Sequence, residues 1–593
     1  MKRALLLLVS ALLSAAAPVG AQEACPEGRV TRVFVDNRSI FDLDELSDAP
    51  FQWAYRLANR LHYRTRPSFL RREILLAAGD CWDPFLADDS ARLLRRLGFI
   101  ARSDVYGVQQ PDGDWHLIVD TQDEWTTVIE VGGEFDGGAR VDKVQLREEN
   151  FLGRGFVAGF LFREQDAQRR LGGQLGTPRL FNTRVDAGIR AGETRVGSFV
   201  EEDLFYPFVG EVGRFAARQR YLREDDYFTW SYGTPAAPAH LLLPLTRESY
   251  EVTLAARVGD PGNLTVFGLG VSSDKLRFRD VSEAEQVFDN AFGNPVPAPP
   301  ELADQLAPQL RYRSGARINL LLGQRNIRFA QAVGLDALRG IHDLELGSEL
   351  AVTVGRSVGA SSRQEEPEDL YARFRLYAAG NPGPFVLIGN IAFEGRQIFS
   401  GAEDLDGWRD VLGEFDLLAY WQPPEAPRHT FFARVAAAGG WNVDHPFQLT
   451  LGGVAGVRGF NDEDFPGARR VVVSVEDRFY LGWPYPDLFD LGATVFADVG
   501  RMWEDQLGFG VDSGWRGTVG AGLRFGFPAG TRGVVRLDAG VPFGGGGSLG
   551  DLVLRVSFRD LLGFTAGLED RQMARSRRTT VGPDRFSPIR VVR

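Results

Sequence analysis

The chain has 593 residues, 44% hydrophobic and 25% charged, with a formal net charge of −12. That balance argues against a nucleic-acid binder, which needs a basic face to neutralise phosphates. It leaves membrane proteins open, because a β-barrel hides charge in its lumen and loops.

Residues 1–21 read as a secretory signal. Lys2 and Arg3 form a charged start, residues 4–17 an apolar run too short for a comfortable transmembrane helix, and Val19-Gly20-Ala21 a small-residue cleavage site. Beyond Ala21 no apolar run approaches ~18 residues, so no spanning helix is expected. Only two cysteines occur, Cys25 and Cys81. An exported chain meets an oxidising compartment, so the pair is a candidate disulfide, with two free thiols as the alternative.

Residues 22–125 read as a mixed α/β domain. Residues 30–35 (VTRVFV) form a strand, and residues 51–60 carry apolar residues at helical spacing. A helix over FLRREILLA, capped by Ser68, stops at Gly79, and a short helix over ARLLRRLG follows Asp88-Asp89. Two strands, 102–108 and 115–121, turn at Pro111-Asp112-Gly113. With the uncertain first helix set aside, the order is strand, helix, helix, strand, strand.

From Thr126 to residue 563 the period changes. Segments of about ten residues alternate apolar positions with Arg, Glu, Gln, Gly or Ala, as in GFVAGFLFR (155–163) and YEVTLAARV (250–258). This is the pattern of a transmembrane antiparallel β-barrel, whose lipid-facing and lumen-facing residues alternate. A soluble sandwich or propeller also alternates, but no repeat of fixed period and no linker appears. The strand count lies between sixteen and twenty. Polar stretches at 223–240, 282–309 and 361–368 read as loops. The tail, 564–593, is Arg-rich and poor in apolar residues, and is expected to be a disordered periplasmic segment.

Six histidines are scattered without metal-ligand spacing, and the four glycines at 544–547 lack the strand–helix context of a phosphate loop. No catalytic residue, metal site or cofactor is expected.

The most specific motif is Val457-Arg458-Gly459-Phe460, inside a loop near residues 451–468. It is followed by Ser474-Val475-Glu476-Asp477 and by Val495-Phe496-Ala497-Asp498. An arginine in a narrow lumen needs anionic partners, and guanidinium grips carboxylates through a fork that Lys lacks. Gly456 and Gly459 permit close backbone approach at the tip. Alternation aims Glu476 inward. Asp498 shares its parity with Phe496, a residue that would suit lipid.

This succession resembles the BamA/TamA superfamily of outer-membrane barrels, whose loop motif folds into the lumen. The resemblance implies that Arg458 pairs with Glu476 and Asp498, and that sixteen strands form the barrel. Five strand-like segments follow Phe460, as in that superfamily. Residues 149–155 (ENFLGRG) resemble its early hairpin, and residues 29–122 one POTRA domain, with 123–126 as the hinge. It further implies a seam between the first and last strands, here Thr127 to Phe135 and Leu552 to Phe558. The implied setting is the bacterial outer membrane with the N-terminal domain in the periplasm. The implied partners are the lipid bilayer, unfolded outer-membrane or secreted client proteins, and a periplasmic partner on the POTRA edge. Assistance to protein assembly, insertion or translocation is the leading expectation; a channel, lipid-handling or structural barrel is the other.

Overall fold

The computed structural model describes residues 25–44, 46, 50–135, 139–165, 168–279, 281–290, 292–306, 310, 313–358, 368–399, 407–453, 456–485, 487–505, 508–543, 552–559 and 570–586. The signal expected over residues 1–21 lies outside them.

The N-terminal domain contains β1 (Val30–Arg38), α1 (Gln52–Leu61), α2 (Pro67–Glu73), α3 (Pro84–Arg95), β2 (Ile100–Gln109) and β3 (Trp115–Asp123). Its sheet has the order β1-β3-β2, with β1 parallel and β2 antiparallel to β3. α2 and α3 bury Leu70 and Leu94, together with Phe99 just before β2, against Leu117 and Val119 of β3. α3 starts earlier than the Asp88-Asp89 pair suggests. Asp83 caps it by accepting from the amides of Phe85 and Leu86, and Pro84 sits at the first helical position. Ser68 is not a cap either, because α2 begins at Pro67 behind Arg66. Cys25 and Cys81 form a disulfide with their Cα atoms 5.2 Å apart.

The domain departs from the expected POTRA pattern through α1. This third helix lies outside the α2–α3 layer and packs Tyr55 and Ala58 on Ile40 and Phe41. The module is a three-stranded sheet with three helices and is not a clear POTRA domain.

The expectation of a sixteen-stranded barrel is also corrected. Among the described residues, twenty antiparallel strands close into one barrel, from Thr127–Phe135 to Val553–Arg559. Five strands follow the motif loop, so the added pairs lie before it. The stretch 223–240, expected as a loop, is largely a ribbon formed by strands Phe215–Ser231 and His240–Asp260. Alternation continues past the barrel wall because Phe228 and Trp230 pack on Leu241, Leu243 and Leu245.

The N-terminal domain docks against one rim of the barrel. Arg95 donates two hydrogen bonds to Asp343 at 2.9 and 3.0 Å, and Arg96 donates to Glu345 at 2.9 Å. Arg532 reaches the Arg95 carbonyl at 2.7 Å, and the buried Asp89 accepts from the Glu211 amide at 2.7 Å. Residues 149–155 form a turn at this rim. The Arg66 amide donates to the Gly153 carbonyl, and a Cβ at Gly153 would lie 2.2 Å from the Arg64 carbonyl oxygen.

Candidate functional site: the barrel lumen and its seam

The outer wall is apolar and the inner wall ionic. Along Arg313–Val333, Ile318, Leu320 and Leu322 are exposed while Arg317, Asn319 and Leu321 are buried. Along Val534–Phe543, Val535 and Leu537 face out, and Arg536 and Asp538 face in. Aromatic residues mark both rims of this wall. Near the docked domain, Trp421 stacks on Phe385 and Phe431 at 5.9 and 5.1 Å. At the other rim Trp408 and Trp515 are exposed. From Trp408 to Trp421, a tilted strand rising ~3.3 Å per residue spans roughly 30 Å, the thickness of a bilayer core. A closed wall leaves no backbone edge in lipid except at a seam. This is an outer-membrane β-barrel.

The motif loop enters the lumen from the rim opposite the domain. Arg458 Nε and Nη2 donate to the two oxygens of Asp498, each at 2.7 Å, and Nη1 donates to Glu476 at 2.7 Å. Asp538 stands 3.7 Å away. The guanidinium carbon lies 3.6 Å from the centre of the Phe496 ring. Phe496 therefore faces inward with Asp498, as their shared parity requires, and serves as a cation–π floor. Its suitability for lipid was the misleading signal. The Gly459 amide donates to Thr518 Oγ1 at 3.1 Å, and a Cβ at Gly459 would fall 2.3 Å from that oxygen. Val457 is fully buried with Leu451, Val472 and Met502, and Phe460 packs beside them. Arg555 donates to Asp462 at 2.8 Å and to the Phe460 carbonyl at 3.0 Å. The loop thus touches the inner wall of all five strands that follow it, including the last.

Besides Asp538, sequence reasoning missed three charged partners of this cluster. Arg536 bonds Glu476 at 3.3 Å, and Arg478 bonds Glu476 at 2.6 Å and Asp336 at 2.8 Å. Inward parity on their strands was the available signal for the two arginines; Asp336 lies on a turn and gave none.

The tail gives a second correction. Residues 570–586, expected to be disordered in the periplasm, lie inside the lumen and are mostly buried. A short helix, Arg571–Ser576, begins at Asp570, whose side chain caps it. Met573 packs with Phe447, Leu449 and Leu451 of the motif loop, and Gln572 bonds Thr450 at 2.7 Å. Further along, Arg577 donates to Glu414 at 2.5 Å and Arg578 to Asp410 at 3.0 Å. Thr579 bonds Glu251 at 2.7 Å, Asp584 accepts from Arg373 and Arg375 at 3.2 and 3.1 Å, and Phe586 packs on Phe205 and Phe208. An Arg-rich segment reads as solvated until an acidic wall is placed around it. Burial would raise the Asp584 carboxyl, but Arg373, Arg585 and Arg375 outweigh it and hold it well below the usual carboxylate range. Burial likewise opposes the Asp570 charge, and Arg470 with the helix amides overcomes it, so this carboxyl is also lowered.

Among the described residues the seam is sparsely paired: the first and last strands meet at Gly133, Glu134 and Phe135, opposite Val556, Arg555 and Leu554. Leu552 lies just outside the last strand and Phe558 within it, while Thr127 bonds Glu148 of the next strand at 2.8 Å. Among the described residues, Thr127 to Gly132 has no partner in the last strand. Behind this edge a cavity of about 440 Å³ is lined by Ile129, Lys143, Arg147, Arg163, Phe527 and Val535.

No protein-family profile and no curated protein matches the chain. Solved structures similar to it include BamA from Haemophilus ducreyi lacking POTRA domains 1–3, with 14% identity and a TM-score of 0.36 over 90% of this chain and 85% of that one. CdiB from Escherichia coli shares 12% identity with a TM-score of 0.43, covering 90% of this chain and 77% of that one. OccK10 (OpdN) from Pseudomonas aeruginosa shares 11% identity with a TM-score of 0.30, covering 73% and 98%. At scores this low, none of these likenesses decides what the chain does.

Proposed function

We propose that this outer-membrane barrel assists the insertion or translocation of unfolded outer-membrane or secreted polypeptides, working through its seam, with the N-terminal domain in the periplasm. The observation that supports this reading is the seam, paired at three positions. Among the described residues the edge from Thr127 to Gly132 is unpaired with the last strand, and such an edge can accept an extended chain by strand addition. The cavity behind it gives that chain room, while the loop and tail fill much of the remaining lumen.

Depletion of the protein, followed by quantitative proteomics of the outer membrane, tests this. Levels of some other barrels or secreted proteins should fall. The wild-type chain should restore them, and a chain carrying Gly133→Cys with Val556→Cys, oxidised across the seam, should not until it is reduced. Unchanged levels on depletion, or full restoration by the locked seam, would overturn the proposal.

A second reading, a channel without insertase activity, is favoured by one observation: residues 570–586 occupy the lumen as a plug held by polar contacts. Such a channel would conduct steadily in planar bilayers once the plug is removed, with the seam locked or free.

A further inference from the structure

We propose that α1 is a membrane-surface helix, which lays Trp53, Leu57 and Leu61 into the leaflet bordering the rim where the N-terminal domain docks. Successive helical residues turn by about 100°, so positions i, i+4 and i+8 form one stripe. These three side chains are 66%, 47% and 64% exposed. The opposite side is already used: Tyr55 and Ala58 are buried against Ile40 and Phe41, and the following His62 bonds Asp123 at 2.8 Å. A soluble domain leaving Trp and two Leu side by side in water forgoes the free energy of burying them. Lipid would recover it.

The stripe continues the apolar, aromatic outer wall of the barrel. Phe51, at the start of α1, meets Tyr485 edge-to-face at 4.9 Å. Tyr485 approaches Phe489 at 6.3 Å, and Phe489 packs on Phe525 at 5.1 Å. Phe525 stands on the outer wall beside exposed Leu523. Phe41, beneath α1, also approaches Phe527 at 6.5 Å. An unbroken aromatic path therefore leads from the barrel's lipid-facing belt to α1. Trp483, also exposed, sits at the same rim. Trp and Tyr favour this depth because one part of the ring system is apolar and another is wet.

Charge selects the same surface. Arg56 and Arg60 are exposed on the side of α1 next to the stripe, opposite its buried face. A helix with an apolar stripe flanked by arginines lies in the plane of a bilayer, its guanidinium groups reaching phosphate while their stems stay in the interface. The partner is thus the headgroup layer of a phospholipid leaflet, with anionic lipid strengthening the contact.

The test uses the full-length barrel reconstituted in liposomes of phosphatidylcholine containing a minority of phosphatidylglycerol. A nitroxide is attached at Leu57→Cys, with Cys25 and Cys81 kept oxidised, and a control label is placed at Asp112→Cys on the β2–β3 turn. Collision with oxygen should exceed collision with a water-soluble nickel chelate severalfold at position 57 and not at position 112. Equal access to both reagents at the two positions would overturn the proposal. So would a label at 57 shielded from both, which would indicate a protein partner. As a second measurement, Trp53→Ser with Leu57→Ser and Leu61→Ser should abolish the slow amide exchange that liposomes confer on residues 50–63 while leaving the barrel's heat-modifiable mobility intact. Equal exchange with and without the stripe would also count against the lipid contact.

Discussion

At the scale of single residues, Arg458 shows how a charge tolerates a lumen. Its three guanidinium nitrogens each donate to one of two carboxylates, a third carboxylate stands nearby, and an aromatic face lies below. Breaking a buried pair from one side leaves uncompensated charge and costs about 3–5 kcal/mol. Arg458→Ala should therefore lower the thermal unfolding midpoint of the purified barrel and loosen its heat-modifiable form. Arg458→Lys should recover only part of the loss, since a point charge cannot fork onto Asp498 and reach Glu476 together. An unchanged midpoint in both variants would remove the pairing from the list of stabilising contacts. The motif and its carboxylates were legible through the resemblance of their succession, and the demand of a lumen charge for partners is the physical reason for it. Phe496 was not, because an aromatic ring on a barrel strand suits lipid or a cation equally well until the Arg is placed above it.

At the scale of elements, the tail and the motif loop divide the lumen. The loop tip lies against the last five strands, the tail against strands Ser198–Tyr206 to Gly407–Trp421 and against Arg470 of Arg469–Tyr480, and they meet at Thr450, Gln572 and Met573. Deleting residues 564–593 should turn a closed barrel into one with measurable conductance in planar bilayers. A synthetic peptide of residues 570–586 should suppress that conductance again, which separates loss of a plug from damage to the wall. The acid limit of the plug follows from its carboxylates. Asp570 and Asp584 are held below their unfolded values, so their contribution is fully present above about pH 4 and is lost as pH falls through the lowered native values. Conductance of the intact barrel should thus stay low from neutrality to about pH 4 and rise only in stronger acid. Opening on mild acidification to about pH 6 would contradict that assignment. Composition misread this segment because the acidic residues that order it lie hundreds of positions earlier.

At the scale of the whole molecule, the domain, barrel and seam are mechanically joined. Asp123, at the expected hinge, is buried and accepts from His62 and from the Thr65 amide at 2.7 Å. Glu124 takes a hydrogen bond from Thr531 of the rim, and Trp125 approaches Phe527 at 6.0 Å. These contacts make the junction a fixed joint beside the first seam strand. Asp343→Asn with Glu345→Gln should release the α3 side of the domain, seen as faster amide exchange in residues 92–97, with little change at the seam. The disulfide closes 56 residues within the domain, so its removal should cost that domain about 4 kcal/mol in the chain-entropy model. Cys81→Ser should lower domain stability in denaturant titration while barrel mobility on gels persists; equal stability would show the bridge to be incidental.

The sequence by itself determined the alternation of the wall and the two-part organisation, because each rests on local period; the resemblance of its motifs implied the seam strands and the inward arginine with its two carboxylates, for which the need of a buried charge for a counter-charge is the physical reason. Only the tertiary structure decided the number of strands, the third helix lying against the rim, the inward ring of Phe496 and the entry of residues 570–586 into the lumen. Those depend on which distant surfaces meet. Closure sets how many strands fit, and a segment that looks solvated in isolation becomes buried once an acidic wall surrounds it.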